Sequence, residues 1–581
     1  MSDRPNILPL HSDEHSFRFL SARSRERGGE PCHTPTLDGL IAQGVNFDAA
    51  YCQMPLCTPS RISMLTERHS HRCGAWGNAS VLPPELPTFG SHFQASGYGT
   101  AVVGKMHLGG SRQFAGFGAR PYGDFGGSCA HQFDPLSVTT EDHRGGMDMR
   151  SRTADAGVTE IPESFMQENM VARESLSWIR EHRHTNPNQP WLLYASFSRP
   201  HFPLTSPKRF FDRYYPEGVP PPRVGRTGDS AQHPMTVGAI KGFRTEEIDE
   251  AETMKARAGY FAAVDFFDEM LGDFLALLDR DGLLDNTVIV YTSDHGELAG
   301  EHGIWWKNTW HEAATHVPFI VSLPEHRRGE REAKEVKTPI SLADLFPTLC
   351  GLAGLDQPAG LDGVDLTSVL KGDSCEALRA RIGVITESTS PRWGAGTEFR
   401  MIRSKTHKYI AFRNCEDLAF DLVNDPDEQH NLLKTEADNA DLVLLREAVL
   451  DGFDFGDVEE LRKRQTADLK TRFPGRVEMR TPNQIWLGTG QLVDMEYARF
   501  VCFRFLMEGT LKMPTEIQFN LVGFYLSMAV SLSAFCATRV MMMVTAMVAM
   551  RPTMRKACWE GELVAEPSVA AVSPALPIAP K

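Results

Sequence analysis

The sequence predicts an α/β protein: a large, mostly parallel central sheet sandwiched by helices, with a smaller C-terminal α+β subdomain. Three observations predict it. Strand-like and helix-like runs alternate through roughly the first 370 residues. The β-branched run Asn286-Thr287-Val288-Ile289-Val290-Tyr291-Thr292 follows a long amphipathic stretch, as a buried parallel strand follows its crossover helix. From about Arg381 onward, short strands separated by turns replace that alternation.

The elements follow in order. Ile7-Leu8-Pro9-Leu10 reads as a short buried strand, and Pro9, which has no ladder donor, puts it at an irregular or edge position. Thr36 to Gly44 reads as a helix with a glycine stop. Thr100 to Gly104 and Trp191 to Phe197 are strands. Over Glu250 to Leu278, Phe261, Val264, Phe267, Leu271, Phe274 and Leu278 share one helical face. Val317 to Val321 is a further strand. Arg400 to Arg403 and Lys408 to Phe412 are the short strands of the subdomain, and Asp421 to Glu428 is turn-rich. The expected division is 1–375, 376–475 and a methionine-rich tail, 476–581.

Composition sets outer limits. With 75 acidic against 60 basic residues, the net charge is −15. That argues against general nucleic-acid binding, which needs a basic surface, but leaves room for a local cationic pocket. The first residues, Met1 to Leu10, have no charged start followed by a long apolar run, so no secretory signal is expected there. The eleven cysteines are scattered without a C-x-x-C pair, as free thiols in a reducing compartment would be. A cytoplasmic protein is the expectation. In the tail, Phe519 to Thr538 carries no charge and is just long enough to span a bilayer, although Ser527, Ser531 and Ser533 weaken it. Membrane association, oligomerisation and non-native sequence all remain open for that tail, as does a homo-oligomer.

Chemistry-bearing residues cluster where strands end, which is where α/β sheets place their sites. Asp13 follows the first strand, and Asp294-His295 follows the β-branched one. Together they offer hard oxygen donors and one imidazole for a divalent cation. Lys105 and His107 follow Gly104, spaced so that both reach one small anion from an extended loop. His201 lies between Pro200 and Phe202-Pro203, in a loop stiffened by proline. Lys307 stands in Trp306-Lys307-Asn308. Taken singly, each also reads as an ordinary cap, turn or surface residue.

The pentapeptide Cys57-Thr58-Pro59-Ser60-Arg61 changes that balance. It reads C-x-P-S-R and resembles the type I, formylglycine-dependent sulfatase signature of the alkaline phosphatase superfamily. Gly104-Lys105-Met106-His107-Leu108-Gly109 resembles the family's G-K-x-H-L-G loop, and Pro200-His201-Phe202-Pro203 its P-H-x-P segment. Asp421-Leu422 through Asp425-Pro426 to Asn431-Leu432 resembles its C-terminal segment. The motifs stand in family order over residues 4 to 435. The Asp294-His295 pair is more like the choline-sulfatase, iduronate-sulfatase and phosphonate-monoester-hydrolase branches.

The resemblance implies an alkaline phosphatase-like fold and hydrolysis of a sulfate monoester through a formylglycine-sulfate intermediate at position 57. It also implies a formylglycine-generating maturation enzyme as partner, a small-molecule or carbohydrate sulfate ester as substrate, and one divalent metal. Ca²⁺ is implied first, and the donor set also admits Mg²⁺ or Mn²⁺. Asp13, Cys57, Asp294 and His295 would hold the metal. Glu14 stands where many members have a second aspartate, so its ligation is open. Arg61, Lys105, His107, His201 and Lys307 would act on sulfate, leaving group or diol, and Arg61 would also balance the charge of the metal site. Thr58 and Ser60 would position the loop, Asn78 would sit on the substrate side, and His316 reads as a packed strand-entry residue. The alternatives are a phosphonate monoester or phosphodiester hydrolase with the same site, and a non-catalytic binding protein with unconverted Cys57.

Overall fold

The computed structural model describes residues 4–78, 80–109, 112–123 and 151–472, and two short segments at 484–486 and 492–494. The chain divides into the units Met1–Leu492 and Val493–Lys581, and the first of them holds the sheets and helices that build the site. Apart from those short segments, the tail at 476–581 lies outside the described residues, and so do the readings offered for it. Among the described residues, no helix is long and apolar enough to cross a membrane.

Seven strands form the central sheet: β1 (Asn6–Asp13), β2 (Val45–Phe47), β3 (Gly99–Gly104), β4 (Trp191–Pro200), β5 (Thr287–Ser293), β6 (Phe319–Ser322) and β7 (Lys334–Val336). Their order is β7-β2-β6-β5-β1-β4-β3. β1 pairs in parallel with β4 and β5, and β3 pairs in parallel with β4. Only β6 runs against its neighbours, β5 and β2. Side chains alternate between the faces. Ile7, Leu192 and Val288 join one apolar core, while Leu8, Leu193 and Ile289 join the other.

Pro9 does not mark an edge: it lies in the strand between β4 and β5, opposite Val290. One missing donor is tolerated because Ile7, Leu8 and Leu10 around it are wholly buried and bonded on both sides. The helix expected from Thr36 to Gly44 is α1 (Pro35–Ala42). Gly44 does not end it with a left-handed turn. Its need for glycine is steric, since a Cβ there would lie 2.6 Å from the Val321 carbonyl oxygen.

Two further helices carry the site or cover the sheet: α2 (Cys57–Thr66) and α3 (Gln167–Thr185). Periodicity alone does not flag α3, whose Val171, Leu176 and Ile179 cover the sheet within a strongly polar sequence. The long amphipathic stretch is α4 (Glu250–Arg280), started by the Asp249 carboxylate accepting from the Glu252 N–H. Its six expected core residues are all at most 1% exposed, each adding about 1.5–3 kcal/mol of burial.

The smaller sheet is antiparallel, β8 (Val384–Ser388), β9 (Phe399–Arg403), β10 (His407–Phe412) and β11 (Leu418–Asp421), and α5 (Ala440–Leu450) packs on it. A buried charge network ties this sheet to Tyr51 and to the short helix Glu312–Thr315. Lys408 Nζ meets Glu312 Oε1 at 3.0 Å and also pairs with Glu428. The Tyr51 hydroxyl donates to Glu312 at 2.6 Å and accepts from Arg403 Nε at 3.0 Å. His316 belongs to the same packing. It stacks on Phe17 at 3.7 Å and bonds Glu312, packed at the start of the short strand His316–Val317.

Candidate active site

Four neighbouring parallel strands end at one edge of the sheet. β1 ends at Asp13, β3 runs into Lys105, β4 into His201, and β5 into Asp294-His295. Residues nearly 300 positions apart meet there because the strands are parallel. At Gly104 the chain turns with φ +96°, and a Cβ would lie 1.9 Å from the Ser196 carbonyl oxygen, so only glycine starts this loop.

Cys57 opens α2, and the sequence reads naturally as a helix start. Pro59 falls in the first turn, where a missing N–H costs no helical bond. Cys57 and Arg61 are four residues apart, hence on one face. Asn78 Oδ1 accepts from the Thr58 N–H at 3.1 Å, and the Thr58 hydroxyl donates to the backbone oxygens of Asn78 and His107. Ser60 Oγ donates to the Asp294 carbonyl at 2.6 Å. Thr58 and Ser60 therefore fasten the helix start. Asn78, expected on the substrate side, is seen holding Thr58.

Cys57 Sγ lies 3.2 Å from His295 Nε2 and 3.8 Å from Asp13 Oδ1. One ligand atom each from Asp13, Cys57, Asp294 and His295 falls within 4.8 Å of the others, all buried. His295 Nδ1 donates to the Gly296 carbonyl at 3.0 Å, which presents Nε2 to the site, as for a metal-bound imidazole. Burial and then Asp13 raise the Asp294 pKa to about 6. That crowding of like charge is what a divalent cation would relieve, so the donor set fits one.

The cations take distinct places. Arg61 is wholly buried, with Nε 2.9 Å from Asp294 Oδ2 and Nη2 2.8 Å from Asp13 Oδ2. Its Nη1 donates to the Lys105 carbonyl and Ser196 Oγ. The sequence pointed Arg61 at the diol and at the charge balance of the metal site; its donors are taken by the two carboxylates and the loops behind them. Lys105 Nζ reaches Asp13 Oδ2 at 3.0 Å. Lys307 Nζ donates to Glu14 Oε2 at 2.6 Å. His201 presents Nε2 to Glu14 Oε2 at 3.3 Å while Nδ1 donates to the Phe202 carbonyl. His107 is buried with φ 54°, and its carbonyl is tied to Thr58.

Burial and Asp13 push the Cys57 thiol up, but Lys307, His295 and Lys105 outweigh them and hold it well below its usual range. Glu14 is pushed well up by burial, despite Lys307. It sits with φ 68°, and its Oε1 has no hydrogen-bond partner among the described residues. In this structure Glu14 anchors Lys307 and His201. Two arginines that no motif flagged, Arg152 and Arg392, also bear on the site. The Cys57 charge acts on both. Neither lies in a recognisable pattern, so only the fold reveals them.

A buried nucleophile position at a helix N-terminus, a four-donor cation nest and lysines beside it define a hydrolase of anionic esters. The family model described as Sulfatase matches residues 5–355, and that of the N-sulphoglucosamine sulphohydrolase C-terminal region matches 300–450. The chain belongs to the sulfatase family, enzymes that hydrolyse sulfate esters. Choline-sulfatase of Rhizobium meliloti is 28% identical over 466 residues, 76% of this chain and 86% of that protein. Arylsulfatase of Clostridium perfringens is 28% identical over 74% of this chain and 91% of its own length. Among solved structures, a phosphonate monoester hydrolase of Agrobacterium radiobacter superposes with TM-score 0.61 at 22% identity, covering 84% of this chain and 99% of that one. A 2-O GAG sulfatase gives 0.60 at 22%, covering 81% and 94%.

Proposed function

We propose that the protein cleaves a sulfate monoester to an alcohol and inorganic sulfate with position 57 in its oxidised, formylglycine form. The observation that carries this is Cys57 Sγ standing in the donor nest of Asp13, Asp294 and His295. A hydrated aldehyde there supplies a nucleophile that can later release sulfate by C–O cleavage, an exit that a plain cysteine or serine ester lacks. The bound cation, Ca²⁺ first and Mg²⁺ or Mn²⁺ otherwise, supplies positive charge for the sulfate and nucleophile oxygens.

The chain's own groups do the rest. Asp13, Asp294 and His295 hold the cation, and Arg61 balances the two carboxylates from behind. Lys105 and Lys307 bind the sulfate oxygens, where charge gathers in the transition state. Lys307 or His201 protonates the departing alcohol, and Glu14 keeps both in place. His107 takes the proton that frees sulfate. A maturation enzyme in the same cell makes the aldehyde. The seven described cysteines are all free thiols, which supports a reducing, cytoplasmic setting; recovery of the enzyme outside the cytoplasm on fractionation would argue against it.

The test is kcat/KM, side by side, for a sulfate monoester and a phosphonate monoester with matured enzyme. Two cationic or titratable groups, Lys105 and His107, favour the sulfate. A strong preference for the phosphonate sinks the reading, as does full sulfatase activity in Cys57→Ala.

A further inference from the structure

We infer that Arg152 and Arg392 form an anion-recognising rim on this site, so that the substrate is a sulfate ester bearing a second negative charge, a carboxylate or another sulfate. This rests on the sulfatase reading and narrows its substrate class.

Both guanidinium groups are seated on aromatic rings next to the catalytic loops. Arg152, in the short helix Ser151–Ala154, lies 3.5 Å from the centre of the Phe202 ring and 5.5 Å from that of Trp306. Phe202 follows His201, and Trp306 precedes Lys307. Lys307 Nζ stands 5.2 Å from the same Phe202 ring, so Arg152 and Lys307 share one platform. Arg392 lies 5.0 Å from the centre of the Trp393 ring. The Trp393 indole donates to the Asn308 carbonyl at 2.6 Å, which anchors that ring to the residue after Lys307. Phe243 packs against both Trp306 and Trp393, joining the two platforms.

The charge arrangement favours an anion. Arg392 is reached by solvent, and among the described residues no carboxylate pairs with its guanidinium. Surrounding protein still lowers its pKa to about 10, with Cys57 acting against that fall. Arg152 falls to about 10 through burial, and Arg392 is among the groups that push it down. Arg152 thus feels Arg392, and both feel the nucleophile position. The scissile group needs neither of them, because a sulfate monoester carries one negative charge and Lys105, Lys307 and the cation already face it. A guanidinium fork matches a carboxylate or sulfate with two parallel hydrogen bonds. The same pair repels an alcohol carrying a quaternary ammonium group.

The experiment uses full-length, matured, metal-loaded enzyme and four probes: a neutral sugar monosulfate, a sulfated uronic acid, a disulfated sugar and choline sulfate. The expected result is a kcat/KM at least tenfold higher for one or both doubly anionic probes than for the neutral monosulfate, and lowest for choline sulfate. Which of the two leads tells carboxylate from second sulfate. Arg392→Ala and Arg152→Ala should each shrink that preference about tenfold, mainly through KM, with Arg392→Lys keeping part of it. Arg392→Glu, at a solvent-reached position, serves if Arg152→Ala does not fold. Wild-type preference for the neutral or cationic probe overturns the inference, and so does an equal loss on all probes in Arg392→Ala. Sulfate release from none of these probes or from an aryl sulfate, with position 57 fully converted, removes the sulfatase reading itself. Release from the aryl sulfate alone removes only the rim.

Discussion

At the scale of single residues, Cys57 and Arg61 have opposite jobs on one helical face. Cys57 is offered to chemistry, whereas Arg61 is consumed by structure. Conversion of Cys57 to formylglycine exchanges a sulfur and two hydrogens for one oxygen, so the peptide that contains it should weigh about 18 Da less than its sequence predicts. Intact-mass analysis after expression with a maturation enzyme checks this, and an unshifted mass together with turnover would refute the aldehyde. Arg61→Ala should cost about 3–5 kcal/mol, because it leaves Asp13 and Asp294 buried without their counter-charge. Urea unfolding measures it, and a loss below about 1 kcal/mol would mean that Arg61 is not what holds the carboxylates. The C-x-P-S-R motif made Cys57 and Arg61 legible, but neither the helix that puts them on one face nor the atoms that occupy Arg61. Its partners come from β1 and β5, far away along the chain, and Glu14's grip on Lys307 and His201 was hidden for the same reason.

At the scale of elements, α2 carries a pH-sensitive end. Glu67 caps it with φ 52° and is wholly buried, with Oε1 accepting from the Gly363 N–H at 2.9 Å. Burial first, then Asp344 and Asp362, raise its pKa to about 9. An unfolded glutamate titrates near 4.5. Between those values the native state holds the extra proton, so its stabilising effect is complete below the lower one and is lost as pH rises toward 9. The slope is at most about 1.4 kcal/mol per pH unit. Glu67→Gln should therefore match wild type near pH 5 and exceed it in Tm at pH 8 to 9. Parallel Tm curves for the two proteins would reject this. Strongly periodic elements such as α4 were legible because burial dictates their pattern. The mostly polar α3 was not, because few of its residues face the sheet. Pro9 misled because edge preference is a tendency, and a central strand with enough burial overrides it.

For the whole molecule, the cation nest and the Lys408 network should govern stability together. Chelation with EDTA should abolish activity and lower Tm, and added Ca²⁺ should restore both. At a hundredfold excess over Kd the bound ion is worth about 2.7 kcal/mol. Restoration by Mg²⁺ but not Ca²⁺ would replace the expected metal. Lys408→Met should destabilise by about 3–5 kcal/mol by stranding Glu312 and Glu428, and in the unsubstituted protein the catalytic and small sheets should melt in one calorimetric transition. A separate early transition in the unsubstituted protein would show that the network does not couple them. What the sequence determined alone was the class of chemistry, because C-x-P-S-R, the Asp294-His295 pair and the lysine loops are local and stand in a fixed order. Tertiary structure decided the rest: the atoms of Asp13 and Asp294 that Arg61 pairs with, Glu14 as the anchor of Lys307 and His201, and Arg152 and Arg392 as rim cations. The reason is physical. Charge pairing depends on distance through space, and parallel strands bring together residues whose separation along the chain leaves no pattern to read.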